Sequence, residues 1–378
     1  MIYLDNSATT KPYKEVIDSF VTVSTDYFGN PSSLHALGGE TEKLLHHSRE
    51  VIADLLQVHH KEIIFTSGGT ESNNLAIKGS AYSKRHQGMH IITTSIEHPS
   101  VTNAFEDLGK EGFEVTILPV NEDGRVTAEQ VEREMRKDTV LVSIIHVNNE
   151  TGVIQPIDEI KGIVKKFPLA CLHVDHVQGV GKVPLNLDGI DLCSMSAHKF
   201  HGLKGNGLLV VKAGVTLHPL LSGGNQEWTL RSGTENVAGI VAMTKALRMS
   251  FDNNQKRSAA LMQLKDYLLE NLKANGSAWI NTPLRGSAPH IVNFSVPQIK
   301  SEVLVHALGN KNIFVSTTSA CSSKRKAPSK TLTAMGLKQD RTESAIRISM
   351  TYSTTKEELD IFLSELIKEI ATIKQVTR

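Results

Sequence analysis

The sequence predicts a large three-layer α/β domain with a smaller α+β domain beside it, and three features carry that prediction. From about residue 62, short β-rich runs alternate with helical stretches. Several of these runs, such as Leu141-Val142-Ser143-Ile144-Ile145, are apolar without alternating, as expected of strands buried on both faces of a mostly parallel sheet. From about residue 251 the alternation stops and a long, charge-bearing helix begins.

The strands are expected at 62–66, 90–94, 114–118, 140–146, 170–174, 190–194 and 208–211, with helices at 72–83, 100–108, 127–136 and 156–166 between them. Right-handed crossovers then place helices on both faces of the sheet. The second part reads as a helix at 255–274, a strand at 291–296, a helix at 301–308, a Ser/Thr-rich loop around Cys321, a strand at 345–350 holding Arg347, and a closing helix. The division predicted is a large domain over 16–256 and a small one from 1–15 and 257–378.

A chain of 378 residues is too long for one ordinary core, which agrees with two domains. Hydrophobic residues at 40% and charged residues at 21% are those of a soluble globular protein. No apolar run spans a bilayer and no secretory signal precedes the fold, so no membrane partner is expected. With a formal net charge of +1, strong direct nucleic-acid binding is not expected. Three cysteines do not make a disulfide framework; they point to a reducing cytoplasm and leave room for a reactive thiol.

Four constellations carry chemistry. In Phe65-Thr66-Ser67-Gly68-Gly69-Thr70-Glu71-Ser72-Asn73 a strand ends, two glycines turn and a helix begins. Backbone N–H groups and a helix N-terminus there suit an anion, although an ordinary helix-capping turn would look the same. In His173-Val174-Asp175-His176-Val177-Gln178, Asp175 falls at the carboxyl edge of the sheet, where a buried carboxylate needs a positive partner such as a protonated pyridine nitrogen. Capping of a turn is the rival reading. A metal held by His173 and His176 is disfavoured, because neighbouring strand positions alternate in direction and no clear third ligand follows. In Ser196-Ala197-His198-Lys199, a lysine follows a strand and small polar residues. Confinement there can lower its pKa and suit it to bond an aldehyde, and Ser196 and His198 can bind phosphate oxygens. A lone lysine is by default solvated, but an aspartate after one strand and a lysine after the next is a rarer pairing. In Ser319-Ala320-Cys321-Ser322-Ser323-Lys324-Arg325-Lys326, the cysteine sits in a polar loop expected to be exposed, and the cations favour its thiolate. Cys171 and Cys193 lie in apolar strand runs and read as buried small hydrophobes.

These segments resemble the cysteine desulfurases of the class V aminotransferase group. The resemblance also runs through Tyr3-Leu4-Asp5-Asn6-Ser7-Ala8-Thr9-Thr10, Asn30-Pro31-Ser32-Ser33, Glu97-His98, His146-Val147-Asn148-Asn149-Glu150-Thr151-Gly152, Arg231-Ser232-Gly233-Thr234 and Ile346-Arg347-Ile348-Ser349, and so along essentially the whole chain. It implies the aspartate-aminotransferase type of fold (fold type I), pyridoxal 5'-phosphate as cofactor, and no metal. By resemblance, Lys199 is the Schiff-base lysine, His98 stacks on the pyridine ring and takes part in catalysis, Asp175 pairs with the ring nitrogen and Gln178 with the phenolic oxygen. Asn148 lies by the cofactor oxygen and the substrate. Gly69, Thr70, Ser196 and His198 hold the phosphate, Thr234 reaches the phosphate of a neighbouring subunit in a homodimer, Arg347 clamps the carboxylate of L-cysteine, and Cys321 carries the persulfide.

The segment from Cys321 to Gly336 resembles the longer Cys-loop subgroup, which implies an acceptor protein for the sulfur: an iron–sulfur scaffold or a tRNA-thiolating enzyme. The chain departs from the family pattern at Thr318, where glycine is usual, at His176, where a small residue is usual, and in the basic run Lys324-Arg325-Lys326. Two further readings are a selenocysteine lyase or another reaction of the same cofactor fold, and a sulfur-carrier subunit with little turnover of its own.

Overall fold

The computed structural model describes residues 1–276, 278–317 and 328–376. The chain opens on strand β1 (Ile2–Tyr3), followed by helices α1 (Lys14–Asp26) and α2 (Ala36–Leu56). The alternating part then runs β2 (Ile63–Thr66), α3 (Gly69–Lys84), β3 (His90–Thr94), α4 (Pro99–Lys110), β4 (Glu114–Leu118), α5 (Ala128–Glu134), β5 (Thr139–Ile145), α6 (Ile157–Val164), β6 (Cys171–Asp175), β7 (Leu192–Ser196) and β8 (Gly207–Val211). Helix α7 (Val237–Phe251) returns to pack on α1 and α2.

All seven expected strands form, and they make one sheet in the order β2-β8-β7-β6-β5-β3-β4. Strand β8 alone runs against its neighbours; the rest are parallel. The period of two along each strand separates two cores. Phe65, Val142, Ile144, Leu208 and Val210 join one with α1, α2 and α7, whereas Ile64, Leu141 and Leu209 join the other with α3 and α4. Each such side chain contributes about 1.5–3 kcal/mol of transfer free energy. Strand β4, at the sheet's end, is the one with exposed positions, as an edge allows.

The remainder comprises α8 (Asn254–Ala274), β9 (Trp279–Ile280), β10 (Ile291–Ser295), α9 (Ser301–Gly309), β11 (Ile313–Phe314), β12 (Ser316–Thr317), α10 (Lys330–Ala334), α11 (Gln339–Glu343), β13 (Ala345–Ser349) and α12 (Lys356–Val376). An antiparallel sheet, β12-β13-β10-β9, and the parallel pair β1-β11 share a third core, in which Ile2 and Leu4 pack with Leu268, Phe294, Ile313, Ile348 and Phe362. Residue 2 thus pairs with residue 313, and Asp5 bridges to Ser349.

Three of the features that were not read from the sequence lie near the site or before the large sheet. Helices α1 and α2 precede the alternating region. Helix α3 starts at Gly69, three residues earlier than expected, because Gly68 before it takes φ 151°. A third is the turn before Thr234. There Glu227, Trp228 and Thr229 all have positive φ, and Glu227 is held by Arg49 at 2.7 and 2.8 Å and by the Phe65 amide at 2.8 Å. Both partners are buried, so removing either would cost about 3–5 kcal/mol. Among the described residues no helix is long and apolar enough to cross a membrane.

Candidate active site

The parallel strands point their carboxyl ends at one cavity of about 260 Å3. Each strand delivers residues there because its buried run ends at the sheet edge. Gly69 and Thr70 follow β2, His98 follows β3, Asn149 follows β5, Asp175 and Gln178 close β6, and Ser196, His198 and Lys199 close β7. The N-terminal segment adds Ala8.

Asp175 is 3% exposed, and its oxygens accept from neutral groups: the Asn73 amide at 2.8 Å and the Val177 backbone N–H at 3.0 Å. A buried carboxylate of this kind suits a positively charged ring nitrogen presented from the cavity. The Lys199 ammonium donates to the carbonyls of Ser7 at 2.5 Å and Ala8 at 2.9 Å. Gln178 donates to the same Ser7 carbonyl at 3.0 Å. The Ser7 hydroxyl and the Asn73 carbonyl oxygen are buried polar atoms with no protein partner.

At the anion end the room is tight. A Cβ on Gly69 would meet Val177 at 2.9 Å, and one on Gly207 would come within 2.6 Å of the Gly68 Cα. Only glycine lets these backbones close on a ligand there. The α3 first turn, Thr70, Ser196 and His198 surround that end, which is the donor set a phosphate needs. The cavity therefore fits pyridoxal 5'-phosphate at both ends.

His98 is the N-cap of α4, with its Nδ1 2.8 Å from the Ser100 hydroxyl. Burial lowers its pKa, so its ring is held neutral. Burial also lowers His198 to about 4, with the Lys199 charge adding to the effect. Glu97 is pushed up to about 8 by burial; its Oε1 accepts from Thr94 at 2.6 Å and from the Ile145 amide at 2.9 Å. A carboxyl whose folded pKa is raised stabilises most below its unfolded value, and that stability is lost as pH rises through the folded value. The parent is thus expected to lose thermal stability, relative to Glu97→Gln, as pH rises from about 4.5 to about 8; melting curves across that range check it. A constant difference would show that Glu97 is not buried as an acid.

His173 sits between the Ser143 and Ser194 hydroxyls at 2.7 and 2.9 Å, and burial lowers it to about 3. His176 bonds His146, with Nδ1 to Nδ1 at 2.8 Å. Both histidines are therefore occupied within the core. Among the described residues no group of three or more His, Cys, Asp or Glu could hold a metal ion. Cys171 and Cys193 are buried, as read, and burial raises both thiols.

Asn148 is buried just after β5. Its side chain donates to the Ile96 carbonyl and accepts from Glu150 N, Thr151 N and the Thr151 hydroxyl, so it braces its own turn. Its neighbour Asn149 lines the cavity. Arg347 lies just beyond, on β13. Its guanidinium donates to the Asn149 carbonyl at 2.9 Å and to Asp5 at 2.8 Å, and its Nε is buried with no protein partner. Thr234 is exposed and lines a separate small hollow with Ser67 and Arg231, away from Lys199. Cys321, Thr318 and the basic run at 324–326 lie outside the described residues. Sequence reasoning missed Asn73 and Ser7. Asn73 was detectable, since it stands four residues after Gly69 on the same helix face.

The aminotransferase class-V model matches residues 2–362. A NifS/IcsS protein homolog of Lactobacillus delbrueckii subsp. bulgaricus is 47% identical over 96% of both chains. The cysteine desulfurase IscS of Dictyoglomus turgidum is 41% identical over 100% of this chain and 96% of its own. Among solved structures, a NifS-like protein superposes with a TM-score of 0.93 at 38% identity, covering 98% of this chain and 99% of that one. The protein SspA in complex with cysteine superposes with a TM-score of 0.82 at 33% identity, covering 94% of this chain and 100% of that one.

Proposed function

Since the chain belongs to the aminotransferase class-V family and is a cysteine desulfurase dependent on pyridoxal 5'-phosphate, we propose that it takes sulfur from L-cysteine onto Cys321 and passes it to an acceptor protein. The observation that carries the site assignment is the meeting of Lys199, His98 and the buried Asp175 around one cavity at the carboxyl edge of the sheet.

Lys199 would bond the cofactor, Asp175 would hold the charge of its ring nitrogen, Gln178 would face its phenolic oxygen, and Gly69, Thr70, Ser196 and His198 would hold its phosphate. When bound, the group supplies an electron sink that acidifies the substrate Cα–H and makes the sulfur electrophilic. Arg347 fixes the substrate carboxylate with its planar fork. Lys199, as a free amine, moves the Cα proton, and neutral His98 accepts the substrate thiol proton. The Cys321 thiolate attacks the substrate sulfur; an S–S bond forms, the C–S bond breaks, and alanine leaves carrying a proton where sulfur was.

The enzyme acts as a cytoplasmic homodimer in this reading, in which exposed Thr234, absent from the lining of its own cavity, is available to the neighbour's phosphate. Sedimentation should give a dimer, and Thr234→Val should weaken cofactor retention about tenfold, the worth of one hydrogen bond to a charged group. An active monomer would refute the composite site.

The acceptor, an iron–sulfur scaffold or a tRNA-thiolating enzyme, meets the basic run Lys324-Arg325-Lys326 and exposed Lys330. Changing residues 324–326 to glutamine should slow transfer to that protein more than turnover with dithiothreitol, and should flatten its salt dependence. Unchanged transfer rate and salt dependence would make the run a solvated surface.

A further inference from the structure

Glu150 follows the cavity residue Asn149, yet it does not line the cavity, and its carboxyl group bonds residues that come after Cys321. The Ser329 hydroxyl donates to Oε2, and the Thr331 hydroxyl donates to Oε1 at 3.1 Å. Ser329 is also the N-cap of α10, accepting from the Leu332 amide at 3.0 Å. One carboxylate therefore holds two hydroxyls of a single helical turn.

The backbone of Glu150 is fixed from the other side. Its N–H donates to Asn148 at 2.9 Å, and its carbonyl accepts from Asn293 at 3.1 Å. Arg347 holds the preceding carbonyl, and Ser316, on the strand that leads towards Cys321, pairs opposite Arg347. Both described flanks of the Cys321 segment thus converge on the 148–150 turn. Helix α10 is also seated by apolar contacts: its Leu332 clusters with Met335, Ala345 and Val120, and its Ala334 packs against Ile96, Ile145 and Val153. Apolar packing of this kind is non-directional. Two hydrogen bonds to one carboxyl group add a fixed register that packing leaves free.

We propose that Glu150 is a positioning residue for the sulfur-transfer half of the reaction, tying the start of α10 to the turn that lines the cofactor cavity. This rests on Cys321 being the carrier. Misplacement of a reacting group by about 1 Å can cost on the order of a hundredfold. Glu150→Ala and the pair Ser329→Ala/Thr331→Val should therefore each slow single-turnover alanine release about tenfold to a hundredfold, with Glu150→Gln intermediate. Cofactor loading and cysteine binding, read from the visible spectrum, should stay within about twofold, since none of these residues lines the cavity. Combining Glu150→Ala with the hydroxyl pair should be no worse than either alone, as for residues acting through one contact.

Alanine release at the parental rate in both sets, additive losses, or a parallel fall in cofactor loading would each overturn the proposal. Cys321→Ser run alongside separates the two readings. If it still makes alanine at the parental rate, the carrier assignment and this proposal fall together. If it is inactive while the Glu150 and hydroxyl variants run normally, only the role of Glu150 falls.

Discussion

Lys199→Ala is expected to abolish turnover and leave the fold in place. The loss combines the bond to the cofactor with the proton transfer at Cα, and the second alone is worth on the order of 10²–10⁴ in rate. The structural cost is small by comparison. The ammonium gives up its bonds to the Ser7 and Ala8 carbonyls, and Lys199 and Ala8 both line the cavity, where water can replace it. Borohydride reduction of the loaded enzyme, followed by peptide mapping, should place the label on Lys199. The informative rival is Lys182, a buried lysine whose ammonium donates to the Lys199 carbonyl at 2.8 Å and which burial lowers to about 7. A label on Lys182, or on any other lysine, would sink the assignment.

Cys321→Ser should bind cofactor and cysteine normally but release little alanine or sulfide. A hydroxyl is far less nucleophilic than a thiolate at neutral pH. The change leaves every residue that lines the cavity as it is, so the visible spectral change on adding cysteine should persist. Neither other cysteine can substitute. Cys193 is 1% exposed within β7, and Cys171 is buried beside the Lys84 ammonium, 2.8 Å from its sulfur. Normal alanine production by the variant would show that Cys321 is not the nucleophile.

The parts of the molecule that were readable from sequence are those in which local pattern and function coincide. A parallel strand buried on both faces is a short apolar run, and the residue just past it lies at the ligand edge of the sheet. That is why the positions of Asp175, Lys199 and Gly69 could be anticipated from the ends of the runs. Helix α2 escaped because Gly38 and Gly39 and many polar residues blur its pattern, and a helix rather than a strand precedes it. The two-residue strands β1 and β11 are too short to show any period. Asn148 and Asn149 are the same residue type side by side; only the turn decides that one braces the backbone and the other meets the cavity. The Arg347–Asp5 ion pair joins residues 342 apart, a separation that no local pattern can encode.

That last separation has a consequence during synthesis. Strand β1 pairs with β11, and Asp5 with Arg347, so the segment before α1 leaves the ribosome well over 300 residues ahead of its partners. At about 5–20 residues per second, that is on the order of 15–60 seconds. The large sheet, complete by Val211, can form during that interval. Ser7 and Ala8, whose carbonyls receive Lys199, sit on a segment that stays untethered by β11 and β13 until the last third of the chain arrives. The nascent enzyme therefore acquires a sheet early and a finished catalytic lysine late, and cofactor capture should lag behind folding of the sheet by roughly the time needed to translate β9 through β13.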